Sequence, residues 1–447
     1  MTSNRNAEKV FWKIFAFTCP LIPIAVYFNN NWYSLFHSYS VGMVLGLFSC
    51  CYFLNTLLLS TRIPYFDHLY GHDRVMVFHG WYAVCALIFA IGHLVFKWIF
   101  YLDLSTQVIY GLTGLSLFFI IITLTTLFMI DSLLHRVPAV ARLKKFFVTK
   151  IHFDYSRLKL VHNFTALAAF LIIVHVYLAS STQETIFRMS LIGVWGGICI
   201  ILYVYHKVVR PIIAYTAGYT LTQNNPLTPS ITELKLHSGK RVPRYYKAGQ
   251  FGYFRLLARE CGYAEHPFTI SSPPGSVELA ITVKTLGDYT AKLHRVPVGT
   301  KVLFDGPYGI FTPEMKKHIH IFIAGGIGIT PFVSILAQYN DSEIPQAVTL
   351  IWTCRTQDEM IHRDFFAAYA SRHRLFQFVP VITRERGIDG VRQRIDRQLL
   401  EAEIPQVVRK KIRVFLCGPE PLRITVCREL KAMGVPGKNI HYEKFSF

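Results

Sequence analysis

Cysteine is scarce and unpatterned in this sequence. The 9 cysteines among 447 residues form no C-x-x-C pair and no other spacing typical of a metal site, so the sequence contains no zinc or dithiol motif. Most of them stand in apolar runs, as Cys50, Cys51, Cys85 and Cys199 do. We therefore expect buried thiols and no disulfide framework.

Acidic residues are also few. The chain has 27 Asp and Glu against 47 Lys and Arg, a formal net charge of +20. Much of this excess flanks apolar runs, which is typical of membrane topology, so we expect no nucleic acid as a partner. The first apolar run is long and lacks a clear small-residue cleavage site, so no cleaved signal peptide is expected. No EF-hand or SH3-type module is evident, and we expect constitutive activity without an obligatory protein subunit.

Long apolar runs, by contrast, fill the first half of the chain, and the mean hydropathy of +0.33 is high for a soluble protein. Runs of about 18 residues or more predict membrane-spanning helices. Six are predicted: 11–28, 41–59, 75–99, 108–130, 158–179 and 190–206. The first contains Pro20 and Pro23, which predict a kink.

The basic residues between these runs predict the orientation, since basic loops stay on the cytoplasmic side. One set of loops is rich in Lys and Arg: Arg5, Lys9, Lys13, Arg62, Arg74, Arg136, Arg142, Lys144, Lys145, Lys150, Arg157, Lys207 and Arg210. The opposite set holds only Lys97 and Arg188. We expect a multi-pass protein of the cell membrane with both termini in the cytoplasm and with the lipid bilayer as a partner.

Two of the apolar runs each contain two histidines. His79 and His93 lie in the third run, and His162 and His175 lie in the fifth. Ionisable residues at membrane depth are costly and usually functional. The alternative, four satisfied polar residues bonded between helices, is less compatible with two pairs at nearly equal spacing. Spacings of 14 and 13 residues correspond to about 21 and about 20 Å along a helix, which places one imidazole of each helix at each of two levels.

Facing imidazoles within a helical bundle are suitable ligands for haem iron. The spacing therefore predicts two bis-histidine b-type haems, an inner one on His79 and His162 and an outer one on His93 and His175. Fourteen residues return to nearly the same helix face, whereas thirteen leave His175 about 140° from His162. Either the fifth helix is locally overwound or the two haems are laterally offset.

The second half of the sequence is typical of a globular protein. "ITELKLHS", "GQFGYFRLL", "ELAITVKTL" and "TKVLFDGPYG" alternate like strands of an antiparallel barrel. From about residue 317, "HIHIFIAGGIGITPFVSILAQY", "AVTLIWTCR" and "IRVFLCGPEPLRITVCREL" predict an α/β nucleotide-binding domain. The predicted organisation is a six-span di-haem domain at 1–212, a barrel at 213–315 and an α/β domain at 316–447.

Four motifs give these halves a family resemblance. "HPFTISS" at 266–272, "GGIGITP" at 325–331, "CGP" at 417–419 and the terminal "YEKFSF" occur in this order. Both the order of these motifs and the spacing of the histidine pairs resemble those of the NADPH oxidase and ferric reductase superfamily. Within that superfamily, the chain is most similar to compact bacterial homologues. The second half also resembles ferredoxin–NADP reductases. The resemblance implies a six-helix haem-binding bundle followed by a reductase with an FAD-binding barrel and an NAD(P)H-binding α/β domain.

The resemblance implies a set of FAD contacts. Thr269 would lie against the flavin ring beside Phe268, with His266 and Pro267 on the phosphate side. Lys284, Gly287 and Thr290, at a predicted helix start, are candidates for the pyrophosphate because helix N-termini favour anions. Soluble reductases usually carry Arg at the position of His266, whereas the membrane oxidases commonly carry His. The alternative is an ordinary strand that begins near a proline.

A second set of residues is implied for the nicotinamide nucleotide. It comprises Gly325, Gly326, Gly328, Ile329, Thr330, Pro331, Cys417, Gly418 and Pro419. Cys417 would lie near the nicotinamide, although a core thiol is the alternative. Arg355 and Arg384 each follow a predicted strand, and arginine suits a 2′-phosphate, so NADPH is favoured, with NADH possible and solvated surface arginines as the alternative.

The electron path implied is NADPH to FAD, then to the inner and outer haems and to an acceptor outside. Phe447 would stack on the flavin until the nicotinamide displaces it. O₂ giving superoxide is the favoured acceptor, an Fe(III) chelate is the alternative, and a haem-only subunit for a separate partner is disfavoured by the fused flavin domain. Lys97, one turn beyond His93, could stabilise superoxide, reach the head groups or pair with a haem propionate.

Overall fold

The computed structural model of the protein describes residues 2–29, 34, 36–101, 104–129, 138–150, 155–238, 246–385 and 394–443. The chain divides into two compact units, Met1–Val209 (unit 1) and Arg210–Phe447 (unit 2). Each unit has its own hydrophobic core: helices alone form it in unit 1, and two sheets with their helices form it in unit 2.

Unit 1 is helical throughout its described residues. Its helices are α1 (Thr2–Thr18), α2 (Leu21–Phe28), α3 (Ser38–Leu59), α4 (Pro64–Tyr70), α5 (His72–Phe100), α6 (Thr106–Met129), α7 (Pro138–Lys150), α8 (Tyr155–Asn163), α9 (Thr165–Leu178), α10 (Ser180–Gln183) and α11 (Ile186–Val204), followed by a π-helical turn at Tyr205–Val209. The pair α3 and α5 and the pair α6 and α9 pack most extensively.

Five helical segments of the described chain are long and apolar enough to cross a membrane: Ser38–Leu59, His72–Phe100, Thr106–Phe128, Arg157–Leu178 and Ile186–Ala217. A sixth arises if Asn6–Thr18 and Leu21–Phe28 form one span, bent by 43°. The bend lies at Pro20, where a predicted kink is confirmed, because proline has no N–H to continue the helical ladder.

Two helices occupy segments that the sequence analysis treats as loops, namely α4 and α7. Neither is long or apolar enough to be predicted as a membrane-spanning helix.

Helix α5 begins earlier than predicted. His72 is a buried residue at its start, with its Nδ1 3.4 Å from a carboxylate oxygen of Asp67. The helical span thus begins three residues earlier than the apolar run that predicts it.

Unit 2 begins with α12 (Arg210–Ala217) and continues as a six-stranded antiparallel sheet in the order β4-β3-β6-β1-β2-β5. The strands are β1 (Tyr219–Thr228), β2 (Ile231–Ser238), β3 (Phe251–Leu256), β4 (Glu265–Thr269), β5 (Leu279–Lys284) and β6 (Lys301–Tyr308). A bridge between Ile270 and Ile281 joins the two edges, so the sheet closes into a barrel. The predicted antiparallel barrel is confirmed.

The second sheet of unit 2 is parallel, in the order β11-β10-β7-β8-β9. Its elements are β7 (His320–Gly325), α13 (Thr330–Ala337), β8 (Val348–Cys354), α14 (Arg363–Arg372), β9 (Phe376–Ile382), α15 (Arg397–Glu403), β10 (Arg413–Cys417), α16 (Glu420–Ala432) and β11 (Ile440–Glu443). The chain winds outward from β7 to β9 and then returns to the other side of β7. The carboxyl ends of β7 and β10 therefore form the topological switch point, where open α/β sheets bind their ligands.

Candidate functional site

The four predicted haem-ligand histidines of unit 1 meet in two pairs. The ring centres of His79 and His162 are 6.2 Å apart, and those of His93 and His175 are 6.3 Å apart. Each pair joins α5 to the fifth span, which consists of α8 and α9. The pairing of one imidazole from each helix at each of two levels is therefore present in the fold.

Backbone carbonyls orient three of these imidazoles. Nδ1 of His79 lies 2.9 Å from the carbonyl oxygen of Thr56, and Nδ1 of His93 lies 2.6 Å from that of Gly42. Nδ1 of His175 lies 2.7 Å from the carbonyl oxygen of Gln107. Because a carbonyl only accepts, Nδ1–H must donate, which leaves the lone pair on Nε2. Metal-bound histidines usually donate their other ring N–H to a carbonyl or carboxylate oxygen in this way.

The remaining imidazole has a weaker support. Nδ1 of His162 lies 3.5 Å from the hydroxyl oxygen of Thr125, at the outer limit of a hydrogen bond. The hydrogen-bond partners of the two α5 histidines both lie in α3, and those of the two fifth-span histidines both lie in α6. The two helix pairs thus form equivalent halves of the site.

The separation of the paired rings fits an iron ion between them. Imidazole nitrogen binds first-row metals at about 2 Å, and the ring centre lies about 1.15 Å behind that nitrogen, so two imidazoles that held one ion would have ring centres up to about 6.3 Å apart. The observed 6.2 and 6.3 Å agree with this value. Bis-histidine haem ligation therefore requires no large movement of these side chains.

Two glycines make room for the outer pair. A Cβ on Gly46 of α3 would lie 2.8 Å from Nδ1 of His93, and a Cβ on Gly111 of α6 would lie 2.7 Å from Nδ1 of His175. Both distances are too short for van der Waals contact. Any larger residue at either position would push the imidazole away, so these glycines set the depth at which the outer pair packs.

The fifth span is interrupted between its two histidines. The helix is interrupted at Phe164, between His162 and His175, where the N–H of Phe164 donates to the carbonyl of Val161 at 3.0 Å. This i to i−3 bond belongs to a 3-10 turn, which turns faster per residue than an α-helix. The hydroxyl of Thr165 also donates to the carbonyl of His162 at 2.5 Å. The turn tightens the span in the direction of the expected overwinding, but at about 20° per residue beyond an α-helix it supplies only part of the about 140° between the two histidines.

At the other end of α5, Lys97 lies among aromatic rings. Its ammonium nitrogen is 4.4 Å from the ring centre of Tyr39 and 5.1 Å from that of Tyr101. Cation–π contacts of this kind hold the ammonium near the helix end. This placement leaves the charge of Lys97 about one helical turn from His93.

One charged residue that the sequence analysis counts as a loop residue is fully buried. Arg188 in α11 is 1% exposed. It donates to the carbonyl oxygens of Ser181 and Tyr27 at 2.8 and 2.9 Å and pairs with Glu184. The guanidinium therefore ties α2, α10 and α11 together. No local sequence signal distinguishes it from an exposed arginine, because its partners come from a distant segment.

The predicted FAD residues of β4 form one wall of the barrel. His266 stacks on Tyr289, with ring centres 3.8 Å apart, and Phe268 lies parallel to the same tyrosine at 6.5 Å. Thr269 is 6% exposed at the end of the strand. Tyr289, which the sequence analysis does not select, thus positions two of the predicted flavin residues, and burial raises its pKa so that the phenol stays neutral.

The predicted pyrophosphate residues have partners within the protein. The ammonium of Lys284 lies 2.8 Å from a carboxylate oxygen of Glu359. The N–H groups of Leu286 and Gly287 donate to the hydroxyl of Thr290, at 2.9 and 3.1 Å. The predicted helix is a six-residue 3-10 helix, Thr290–Arg295. A phosphate bound here would have to compete with Glu359 for the lysine.

Glycines bring β7 and β10 into close approach at the switch point. A Cβ on Gly328 would lie 2.4 Å from the carbonyl oxygen of Cys417, and a Cβ on Gly418 would lie 3.0 Å from the Cα of Gly325. Gly326 adopts φ +52°, which favours glycine. The 3-10 turn Gly326–Ile329 then leads into α13, which has Thr330 and Pro331 in its first turn. Pro419 lies directly before α16.

Cys417 ends β10 with its thiol fully buried. Burial raises its pKa well above the usual value, and the carboxylate of Glu443 raises it further. The residue therefore remains a neutral thiol, compatible with a packing contact beside a ligand and not with a nucleophile. Glu443, at the end of β11 and in register with Cys417, is a further acidic group at this edge that the sequence analysis does not select. Phe447 lies outside the described residues.

Arg355 and Arg384 meet at the same edge of the sheet. Arg355 directly follows β8, Arg384 lies two residues beyond β9, and these two strands are neighbours. The N–H of Arg384 donates to the carbonyl of Arg355 at 2.9 Å, and both side chains are exposed. Two carboxylates share the edge: Glu359 accepts from the N–H of Arg355 at 3.4 Å, and Glu385 accepts from the N–H of Gln357 at 3.0 Å.

Comparison with known families agrees with this geometry. Residues 227–312 match the model of an FAD-binding domain, and residues 322–428 match the model of an oxidoreductase NAD-binding domain. Unit 2 is an FAD- and NAD(P)-binding reductase module. Its barrel and its parallel sheet are the two domains that the sequence resemblance implies.

Individual relatives extend the comparison. The chain is 29% identical to a flavohemoprotein of Xylella fastidiosa over 51% of its own length and 58% of that protein. It is 27% identical to ferredoxin–NADP reductase B of Sorangium cellulosum over 49% of its length and 93% of that protein. It spans less than two thirds of the flavohemoprotein. These similarities cover about half of the chain.

A longer similarity reaches beyond the reductase module. The chain is 24% identical to dual oxidase 2 of Sus scrofa over 88% of its own length and 29% of that protein. A match of this length must include much of unit 1. It supports an oxidoreductase of the NADPH oxidase and ferric reductase type.

Proposed function

We propose that this protein transfers electrons across a membrane, from cytosolic NADPH through FAD and two b-type haems to O₂ on the opposite face, with superoxide as the product. The observation that carries the proposal is the pair of histidine couples with ring centres 6.2 and 6.3 Å apart. They lie on two helices apolar enough to cross a membrane. The same chain contains a reductase module, so the domain that would accept electrons from NADPH and the helices that would carry them onward belong to one polypeptide.

The reductase module supplies the electrons in this proposal. Flavin chemistry converts a two-electron hydride donor into the single electrons that haem iron accepts. The protein contributes position: Thr269 and the stack of His266 on Tyr289 would line the flavin, and the glycine approach of β7 and β10 would admit the nicotinamide nucleotide. Arg355 and Arg384 would receive the 2′-phosphate, which favours NADPH over NADH.

The histidine couples define the route through unit 1. His79 and His162 would hold the inner haem, and His93 and His175 the outer one. Nδ1–H bonds to backbone carbonyls keep Nε2 of three of them available as ligands. The basic loops favour a cytoplasmic location for both termini, and transfer in the cell membrane would then run from the reductase side outward.

The proposed acceptor follows from the number of histidines at each level. If both imidazoles of a pair held one iron, O₂ would find no vacant ligand position and would take an electron without binding the metal. Lys97, held by Tyr39 and Tyr101, supplies a positive charge about one turn from His93 that favours an anionic product. The second candidate function is reduction of an Fe(III) chelate by the same route, and it differs only in the final acceptor.

One experiment tests both the route and the acceptor. The full chain is purified in detergent with added FAD, its haem is counted by pyridine haemochrome, and NADPH-driven reduction of O₂ and of Fe(III) is measured side by side. Two haems per chain and superoxide formation without added iron are expected. One haem per chain would overturn the two-haem model, and activity that requires Fe(III) would favour the alternative function.

Histidine variants locate the haems. His93→Leu and His175→Leu should each lose the outer haem while the inner one is still reduced by NADPH. The matched control is His68→Gln, at an exposed position of α4, which should retain both haems. Equal haem content in all three variants would contradict the assignment.

A further inference from the structure

Helix α7 (Pro138–Lys150) has no acidic residue and four basic ones, Arg142, Lys144, Lys145 and Lys150. It also has no buried residue. In the chain it lies between α6 and the fifth span, both apolar enough to cross a membrane. A short, strongly basic helix between two spans must lie close to a bilayer surface.

One side of α7 is attached to the end of α6. The ammonium of Lys144 donates to the carbonyl oxygen of Phe128 at 3.1 Å, where a cation is favourable at a helix C-terminus. Phe147 meets the ring of Phe128 edge-on at 6.5 Å. Because Phe128 lies near the end of the apolar run 108–130, these two contacts attach α7 close to the end of that run.

The other side of α7 is exposed and amphipathic. Leu143 and Phe146 are 48% and 51% exposed, and their spacing of three residues places them on one face of the helix. Arg142 and Lys145 have the same spacing and occupy the adjacent face, about 100° away. Lys150 lies seven residues after Leu143, at the end of the apolar stripe, where a long side chain can reach outward.

We propose that α7 lies in the membrane interface, with Leu143 and Phe146 among the acyl chains and Arg142, Lys145 and Lys150 bound to anionic lipid head groups. An apolar stripe flanked by cations is the pattern of an interfacial helix, and the attachment to α6 brings it to the correct depth. The charge complementarity favours an anionic leaflet over a neutral one. This inference rests on the membrane assignment within the proposed function and is independent of haem, flavin and acceptor.

Hydrogen–deuterium exchange of the full chain in lipid nanodiscs tests the inference. Neutral discs contain phosphatidylcholine alone, and anionic discs contain about 30% phosphatidylglycerol. We expect the amides of residues 138–150 to exchange about tenfold more slowly in anionic discs, since three cations each gain a favourable contact. The difference should shrink at high salt because screening weakens surface charge interactions.

Two triple variants provide the contrast. Arg142→Gln, Lys145→Gln and Lys150→Gln together should abolish the difference between disc types, while glutamine preserves the helix. The control replaces three exposed lysines of unit 2, Lys316→Gln, Lys410→Gln and Lys438→Gln, and should retain it. A third variant, Phe146→Ser, should increase exchange in both disc types because the acyl-chain contact is lost.

Three results would overturn the inference. Equal exchange of 138–150 in both disc types would show that α7 does not bind anionic lipid. A difference that survives in the first triple variant, or one lost equally in the control, would assign the protection to another partner or to a global effect. Haem content and NADPH-driven reduction, measured on the same samples, separate these outcomes from failure of the proposed electron path.

Discussion

Gly46 and Gly111 offer a sharp test of the outer histidine pair. In Gly46→Ala the new methyl carbon would lie 2.8 Å from Nδ1 of His93, whereas ordinary contact begins at 3.4 Å. The imidazole must therefore move by about 0.6 Å (3.4 − 2.8), or α3 must separate from α5. For Gly111→Ala the corresponding displacement of His175 is about 0.7 Å (3.4 − 2.7). Metal–ligand bonds tolerate deviations of only about 0.2 Å.

The expected loss follows from these displacements. Overpacking of this size costs about 1–3 kcal/mol, which corresponds to roughly 5- to 150-fold weaker haem binding at the outer level. The hydrogen bond from Nδ1 of His93 to the carbonyl oxygen of Gly42, at 2.6 Å, would be distorted as well. Glycine to alanine within a helix is otherwise favourable by about 0.5–1 kcal/mol, so any loss must come from the steric conflict.

Three quantities are measured: the number of haems per chain by pyridine haemochrome, the reduction potential of each haem by redox titration, and the thermal stability of the protein. We expect content to fall from two towards one, with the inner haem unchanged. The control is Gly193→Ala in α11, where the new methyl carbon would lie 3.9 Å from Tyr177 and should change nothing. Two haems with unaltered potentials in Gly46→Ala would refute the reasoning.

Three further predictions concern unit 2. Arg355→Ala and Arg384→Ala should each raise KM for NADPH about tenfold or more, since a charge-assisted contact is worth about 1.5–3 kcal/mol, while KM for NADH changes little; equal changes would show that these arginines do not select NADP. Phe447→Ser should bind nicotinamide nucleotides more tightly, NADH especially, and alter flavin fluorescence, because ring stacking worth about 0.5–1.5 kcal/mol is removed; unchanged affinity and fluorescence would argue against a covering ring. Burial lowers the pKa of His320 to about 4, so below pH 6.5 the unfolded chain takes up a proton that the folded chain does not. The free energy of unfolding should therefore fall by up to about 3 kcal/mol between pH 6.5 and 4, with a shallower slope in His320→Gln; denaturant unfolding at several pH values measures this, and identical slopes would contradict it.

Local sequence patterns predict a large part of the fold because they report each segment's own periodicity. Alternation within β2 and within β6 predicts strands, and Pro20 predicts a bend, since each signal lies within the element concerned. The short helices α4 and α7 are not predicted from the sequence because neither forms a long apolar run. The two histidine pairs are predictable from spacing alone, since a helix converts residue number into height.

Tertiary packing determines the orientation, the available space and the partners of these side chains, which residue spacing does not specify. The orientation of His175 depends on packing against α5 and α6 and in part on the tighter turn at Phe164, and the room for the outer imidazoles depends on Gly46 and Gly111, which belong to other helices. Arg188 is buried because Tyr27, 161 residues away, accepts its hydrogen bond. In unit 2, Lys284 pairs with Glu359, 75 residues away. The sequence alone determines the type and spacing of these groups, whereas their partners depend on contacts between distant segments, which form only when the chain folds.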